Sequence, residues 1–311
     1  SEAGGLSSFI AAGTAYATHG IPTLPVFVFY SMFGFQRIGD LIYAAGDQRA
    51  RGFLIGATSG RTTLNGEGLQ HQDGQSHLFA YGYPHVVAYD PAFAFELAII
   101  MREGVRRMYT ENEDIIYYLT VQNEAYAMPD MVVDIEASVL KGMYLFRQST
   151  TTFANKANLF ASGSIINEAL KAQQILEEEF EVAAAVWSIT SFQQLHEDGV
   201  AAERWNLLHP EQPRTAWNSE CLANCEGTYV VASDYLKALP DSIARWFPQP
   251  PVSLGTDGFG RSESREALRR YFEIDAAMIA YATLVELFRQ GKIDKKAIEQ
   301  GTIATKAGDN I

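Results

Sequence analysis

TLPVFVFY, residues 23–30, is a continuous apolar run between Pro22 and Ser31. A run of this length predicts a strand of a parallel sheet that is buried on both faces. The pattern over 33–45 predicts a helix after it, and residues 52–55 predict the next strand. A strand, a helix and a second strand in this order are typical of an α/β domain.

The same alternation continues outward from this stretch. The first unit is completed by a predicted strand near 86–89, a helix over 91–108 and a strand at 114–121. The pattern then restarts with predicted strands at 157–161, 182–188, 228–232 and 252–254 and predicted helices at 164–179, 192–195 and 275–289. We therefore predict two α/β domains in series, at residues 1–125 and 151–311, joined by a linker at 126–150.

The amino-acid composition and the net charge favour an ordinary globular protein and disfavour several other classes. The chain has 311 residues, of which 47% are hydrophobic and 20% charged, as in ordinary globular proteins. Its formal net charge of −13 argues against nucleic-acid binding and gives no attraction to an anionic membrane surface. No export signal or membrane span is evident, and two cysteines suit neither a disulfide scaffold nor a zinc site. We expect a cytoplasmic protein with reduced thiols.

Residues 56–77 form a long polar segment rich in Gly, Thr, Asn and Gln. It is too long for an ordinary connection, and loops of this kind are usually functional or mobile. We expect it to be mobile without ligand. It contains two histidines, His71 and His77, which are candidates for proton transfer near neutral pH.

Three groups of motifs carry a resemblance to a known family. They are FYSMFGFQRIGD at 29–40, GEGLQH and DGQSH at 66–77, and ASGS, WNLLHP and GTDGFGRS at 161–164, 205–210 and 255–262. In these motifs the chain resembles the homodimeric bacterial pyruvate dehydrogenase decarboxylating components, which depend on thiamine diphosphate. The resemblance covers nearly the whole chain.

The resemblance implies two transketolase-like domains, a pyrimidine-binding-type domain truncated at its start and a transketolase C-terminal-type domain. It also implies that an amino-terminal domain binds the diphosphate and the Mg²⁺ ion. The motifs expected for that domain, Gly-Asp-Gly and a later pair of asparagines, are not found in this sequence. We expect no metal ligands in this chain, and we expect a fragment or a split enzyme that is inactive alone.

The resemblance also assigns roles to individual residues. Glu2 matches the glutamate that hydrogen-bonds the pyrimidine ring nitrogen, and Phe33 matches the aromatic residue that stacks on that ring, with Tyr30 beside it. His71 and His77 match histidines at the substrate end of the cofactor, and His71 is the stronger candidate. Without the resemblance, Glu2 would be a favourable partner of a helix dipole, and the aromatic residues would be core.

The resemblance implies that the enzyme decarboxylates pyruvate and transfers the acetyl group to a lipoyl group of the dihydrolipoyl acetyltransferase component. It further implies a homodimer. Two alternatives stay open: a dehydrogenase for 2-oxobutyrate or another 2-oxo acid, and a non-catalytic dimerisation and binding half of a split enzyme. A sugar-transferring transketolase is disfavoured because residues 31–37 follow the dehydrogenase pattern.

Overall fold

The computed structural model describes residues 1–131 and 133–305 of the chain. We call residues 1–131 the first unit and residues 142–305 the second unit. Each unit is built on one sheet with helices against it, so the α/β prediction is confirmed.

The first unit contains a sheet of four parallel strands in the order β1-β2-β4-β3. These strands are Val26–Tyr30 (β1), Gly52–Ala57 (β2), Val86–Tyr89 (β3) and Ile116–Val121 (β4). The helices are Glu2–Gly13 (α1), Ala15–Thr18 (α2), Phe35–Asp47 (α3), Ser76–Ala80 (α4) and Ala94–Val105 (α5), the last continuing as a π-helix over Arg106–Thr110.

The second unit contains a sheet of five strands in the order β5-β7-β6-β8-β9, in which only β5 runs antiparallel to its neighbour. The strands are Met143–Arg147 (β5), Asn155–Ala161 (β6), Val182–Ile189 (β7), Thr228–Ala232 (β8) and Val252–Leu254 (β9). Glu136–Lys141 (α6) lies in the connection between the two units. The helices of the second unit are Ile166–Glu179 (α7), Phe192–Leu208 (α8), Trp217–Leu222 (α9), Ala238–Asp241 (α10), Arg265–Tyr271 (α11), Ala276–Arg289 (α12) and Lys295–Thr305 (α13).

Hydrophobic residues on β2 show how the first sheet is buried. Successive side chains of a strand point to opposite faces. Leu54 therefore joins the cluster beneath α1 and α3, and Phe53 joins the cluster beneath α5. Both side chains are fully buried, so the centre of this sheet is covered on both sides.

The prediction that the run at 23–30 is buried on both faces is wrong. Phe29 is buried, but Val26, Val28 and Tyr30 are 50%, 59% and 41% exposed. β1 is an edge strand of its sheet, and the face that carries these three side chains is left uncovered by the described residues. An apolar run alone does not distinguish a covered strand from one whose covering element lies elsewhere.

The predicted helix at 33–45 begins two residues later, at Phe35. Residues Ser31–Phe33 form a 3₁₀ turn instead, and Gly34 breaks the helical geometry between the turn and α3. A Cβ added to Gly34 would lie 2.5 Å from the Phe29 ring, so glycine permits the close approach. Phe33 consequently projects from a turn at the end of β1 rather than from a helix.

The predicted linker at 126–150 includes regular structure. It contains α6 and β5, and β5 is the antiparallel edge strand of the second sheet. The helix predicted at 192–195 also extends, as α8, to Leu208. In both cases tertiary pairing and packing stabilise residues whose local pattern is weak.

Most of the polar segment 56–77 is packed against the second unit, contrary to the expected mobility. The Arg61 guanidinium donates hydrogen bonds to the carbonyl oxygens of Thr256 and Gly258. Gln72 Oε1 accepts a hydrogen bond from the backbone of Arg261 at 2.7 Å. Only the tip, residues 65–67, 69 and 70, is exposed.

Candidate functional site

Three aromatic side chains meet at the carboxyl end of β1. The ring centroid of Tyr30 lies 5.8 Å from that of Phe33 and 5.2 Å from that of His71. Phe33 and His71 are 5.3 Å apart with an edge-on arrangement. Three of the five predicted site residues therefore lie together, although they come from the end of a strand, a 3₁₀ turn and a loop. They lie at the edge where open α/β sheets bind ligands.

Glu2 joins this group through Arg37. Ser1 caps α1 by accepting a hydrogen bond from the backbone N–H of Gly4, which leaves Glu2 in the first turn. The Glu2 carboxylate lies 3.2 Å from the Arg37 guanidinium. The pKa of Glu2 is lowered by a hydrogen bond from its own backbone and by the bond from Arg37. Glu2 is therefore held as a carboxylate.

Arg37 was left out of the site by sequence reasoning, because an exposed polar residue on a helix usually contacts no ligand. In the structure its guanidinium carbon also lies 4.0 Å from the centroid of the Phe33 ring. The available signal was closeness in sequence, since Arg37 lies in the first turn of the helix that follows the turn carrying Phe33.

His71 is partly buried at the exposed tip of the loop. Its Nδ1 atom lies 3.2 Å from the carboxylate of Glu67, yet makes no hydrogen bond. Glu67 lines a cavity of about 790 Å³ between the loop tip and residues 260–271. The buried Nδ1 atom of His71 therefore has unused hydrogen-bonding capacity, and the cavity is reached through its neighbour Glu67.

His77 lies in a different environment, inside the protein. Its side chain is buried, and Nε2 lies 2.8 Å from the Thr120 hydroxyl. Its ring contacts those of Tyr118 and Tyr235. Burial lowers the pKa of His77 to about 4, although the nearby charge of Asp73 acts in the opposite direction. This differs from the expected titration near neutral pH, because burial penalises the charged imidazolium.

The hydrogen bonds around His77 lead to Asp90, which links the two units. Asp90 accepts hydrogen bonds from Thr120, Ser162 and Tyr235 at 2.6, 2.7 and 3.1 Å. Burial raises the pKa of Asp90 above its usual range. Sequence reasoning did not include this carboxylate, since its partners lie up to 145 residues away.

A second buried carboxylate, Asp234, holds the base of the polar loop. It accepts hydrogen bonds from the backbone N–H and hydroxyl groups of both Thr62 and Thr63. Burial raises the pKa of Asp234, while these bonds lower it. Asp234 was also absent from the predicted site, because only the tertiary fold brings it to the loop.

Within residues 1–131 and 133–305, no group of three or more His, Cys, Asp or Glu side chains is arranged to hold a metal ion. In that same part of the chain, no helix is long and apolar enough to cross a membrane. Cys221 and Cys225 are free, and burial raises the pKa of both thiols.

Comparisons with known proteins match both units. Residues 1–129 match the family described as the pyruvate dehydrogenase E1 component middle domain. Residues 142–275 match the transketolase-like C-terminal domain. Residues 130–141, which include α6, and residues 276–311 lie outside the two matched segments.

Curated relatives extend the match along the chain. The pyruvate dehydrogenase E1 component of Pseudomonas aeruginosa is 50% identical over 301 residues, covering 96% of this chain and 34% of the relative. That of Escherichia coli strain K12 is 47% identical over 300 residues, with the same coverage of 96% and 34%. The chain thus spans about a third of the length of these relatives.

Solved structures support the fold. Transketolase from Campylobacter jejuni has a TM-score of 0.65 at 18% identity, covering 89% of this chain and 38% of that chain. A protein described as a split gene transketolase, inactive beta4 tetramer, has a TM-score of 0.61 at 16% identity, covering 90% and 81%. Two domain families match the chain, and relatives that are 47% and 50% identical match 96% of it. The chain therefore belongs to the family of bacterial pyruvate dehydrogenase E1 components, of which it spans about the carboxy-terminal third.

Proposed function

We propose that this chain supplies the pyrimidine-binding half of the active site of a thiamine-diphosphate-dependent pyruvate dehydrogenase. The complete enzyme decarboxylates pyruvate and passes the acetyl group to the lipoyl group of a dihydrolipoyl acetyltransferase component. The observation that carries the proposal is a series of contacts at the carboxyl end of β1. Arg37 pairs with the Glu2 carboxylate and lies over the Phe33 ring, and that ring contacts the rings of His71 and Tyr30.

The residues present fit the pyrimidine end of this cofactor. A carboxylate, Glu2, suits a ring nitrogen that carries a proton, and the rings of Phe33 and Tyr30 suit a flat heterocycle. Nδ1 of His71 lies 3.2 Å from the Glu67 carboxylate without a hydrogen bond, which makes it a candidate for proton transfer at the substrate end. When bound, thiamine diphosphate supplies the electron sink for decarboxylation of a 2-oxo acid.

The chain's own residues have distinct tasks in this proposal. Glu2 holds the pyrimidine ring nitrogen, and Phe33 and Tyr30 orient the ring. His71 moves protons at the substrate end, with the Glu67 carboxylate 3.2 Å from its Nδ1 atom. His77, neutral in its buried network, supports the loop and offers a weakly basic nitrogen rather than a charged acid.

The diphosphate and the Mg²⁺ ion are assigned to an amino-terminal diphosphate-binding domain outside this chain, and the working enzyme to a homodimer. The uncovered apolar face of β1, with Val26, Val28 and Tyr30, supports this assignment because it adjoins the aromatic group and lacks a covering element among the described residues. An exposed apolar face of this kind is typical of a protein interface.

A second candidate function is a binding half of a split enzyme that is inactive by itself. It is favoured by the extent of the match to the split gene transketolase, since this chain covers 81% of that chain but only about a third of the undivided relatives. At 16% identity this likeness shows the fold alone, so this second candidate function rests only on which domains the chain contains.

Calorimetric titration with thiamine diphosphate and Mg²⁺ tests the proposal. We expect no measurable binding by this chain alone and tight binding once the amino-terminal domain is added. In that assembled enzyme, His71→Ala should lower kcat by about 10²- to 10⁴-fold, as for loss of a positioned acid or base, with cofactor affinity unchanged. Tight binding by the isolated chain, or no binding by the assembled enzyme, would contradict the proposal.

A further inference from the structure

The hydroxyl of Thr120 lies between the imidazole of His77 and the carboxylate of Asp90. Its oxygen is 2.8 Å from Nε2 of His77 and 2.6 Å from Oδ1 of Asp90. The three residues come from different places in the first unit, since His77 is in α4, Thr120 is in β4 and Asp90 directly follows β3. All three side chains are buried. One hydroxyl therefore connects a histidine ring to a carboxylate inside the protein.

The Asp90 carboxylate also receives hydrogen bonds from both units. Ser162 and Tyr235 of the second unit donate to it at 2.7 and 3.1 Å, and Gln122 of the first unit donates at 2.9 Å. Burial raises the pKa of Asp90, while the bonds from Thr120, Ser162 and Tyr235 lower it. Four donors around one carboxyl group suit its ionised form, which accepts at both oxygens.

The bond to Asp90 decides the direction of the bond to His77. A threonine hydroxyl has one hydrogen to donate, and an ionised carboxylate only accepts, so this hydrogen is directed at Asp90. The other acceptor in reach of the hydroxyl, the carbonyl oxygen of Tyr89, is farther away at 3.3 Å. The oxygen of Thr120 then accepts from His77. That bond requires the single hydrogen of the neutral ring to be on Nε2.

We propose that Asp90 is a positioning residue for His77: acting through Thr120, it keeps the hydrogen of the imidazole on Nε2 and the lone pair on Nδ1. The described residues form no hydrogen bond with Nδ1. In the reaction proposed above, on which this role in catalysis rests, Nδ1 is therefore the basic nitrogen of His77. A carboxylate that fixes the tautomer of a histidine also stabilises the ring when it gains a proton.

Three substitutions test the parts of this arrangement. Thr120→Val removes the hydroxyl and nearly keeps the shape of the side chain, whereas Thr120→Ser keeps the hydroxyl. Asp90→Asn replaces the charged acceptor with a neutral one, which binds a hydroxyl more weakly. Thr283→Val is a matched control, because Thr283 is also fully buried and its hydroxyl donates to the backbone of Ile279 within α12.

The first readout is the tautomer of His77, measured in this chain by ¹⁵N NMR of the imidazole ring and assigned by the loss of its signals in His77→Gln. We expect the Nε2–H form to predominate in the wild type and in Thr120→Ser. The ratio of Nε2–H to Nδ1–H should fall about tenfold in Thr120→Val, as for a lost hydrogen bond, and by less in Asp90→Asn. Thr283→Val should not change it.

Two results would overturn the role of Asp90. One is a predominant Nδ1–H form in the wild type, because the hydrogen of Thr120 would then be directed at the ring. The other is a ratio that is unchanged in Thr120→Val or in Asp90→Asn. Neither result depends on the cofactor or on the activity of the assembled enzyme.

The second readout is the activity of the assembled enzyme with pyruvate. We expect Thr120→Val to lower kcat about tenfold at an unchanged KM, because the ring that gains a proton loses its hydrogen bond. Thr120→Ser should restore kcat to within about twofold of the wild type, as expected when the hydroxyl is kept. An inactive wild-type assembly would overturn the function proposed above. If the wild type is active, an unchanged kcat in Thr120→Val would overturn the role of these hydrogen bonds in catalysis.

Discussion

His71 and His77 lie six positions apart in the same loop, but their surroundings give them different chemistry. His71 is partly exposed, and its buried Nδ1 atom lies 3.2 Å from the Glu67 carboxylate without forming a hydrogen bond. His77 is enclosed by Tyr118, Tyr235 and Thr120, and its pKa is lowered to about 4. At neutral pH, burial therefore favours the uncharged form of His77.

The depressed pKa of His77 predicts a pH dependence of stability. Its usual value of 6.5 applies in the unfolded chain, so the unfolded state binds a proton first as the pH falls. The contribution of His77 is full above about pH 6.5 and is lost progressively towards pH 4, by on the order of 3 kcal/mol. Urea unfolding from pH 4 to pH 8 measures this change.

His77→Gln removes the titrating group, so its unfolding free energy should fall less steeply over that pH range than that of the wild type. His209→Gln serves as the control, because His209 is exposed and has no role in the network. Equal slopes for the wild type and His77→Gln would mean that His77 titrates near its ordinary pKa in the folded protein.

At the scale of elements, the polar loop is shaped by contact with Asp234. Gly60 has a φ of +85°, and a Cβ placed there would collide with the Asp234 carboxylate. Glycine is required at this position for two reasons: the left-handed backbone and the close approach of the second unit. The loop that carries His71 is thereby held at its base while its tip stays accessible.

Gly60→Ala should destabilise the protein more than Gly66→Ala does. Gly66 has a similar φ of +78° but nothing within 4 Å of an added Cβ. Gly66→Ala should therefore lower the unfolding free energy only by the cost of a left-handed backbone at alanine, roughly 1–2 kcal/mol. Gly60→Ala should add about 1–3 kcal/mol from overpacking and broken hydrogen bonds to Asp234. Equal changes in unfolding free energy, measured in urea, would show that the Asp234 contact does not constrain the loop.

For the molecule as a whole, the uncovered face of β1 is where we propose that a partner domain packs. Val28 is 59% exposed on that face and lies next to Tyr30 in the aromatic group. A partner that covers Val28 also closes the site from that side and excludes water from it. We expect this partner to be the diphosphate-binding domain.

Val28→Lys should leave folding intact but weaken that association. An exposed side chain contributes little to folding, so the unfolding free energy should change by no more than about 0.5 kcal/mol. The Kd for the diphosphate-binding domain should rise at least about tenfold, because a charge would be buried against it. Val200→Lys, on the exposed surface of α8, should change neither quantity, and an unchanged Kd for Val28→Lys would rule out this face.

The sequence by itself determined the succession of strands and helices, because apolar runs such as 52–55 and 228–232 and their spacing are local properties of the chain. It also determined the candidates Glu2, Tyr30, Phe33 and His71 through motifs shared with a family. Which side of β1 is uncovered was not determined, since burial depends on elements distant in the chain.

The tertiary structure alone decided how those candidates are arranged. Arg37 contacts Glu2 because α1 and α3 pack together, and the His77 ring is buried because Tyr235 of the second unit packs against it. Asp90 and Asp234 became part of the site's support because residues more than a hundred positions apart meet there. Such contacts depend on the path of the folded chain, which the local sequence pattern does not determine.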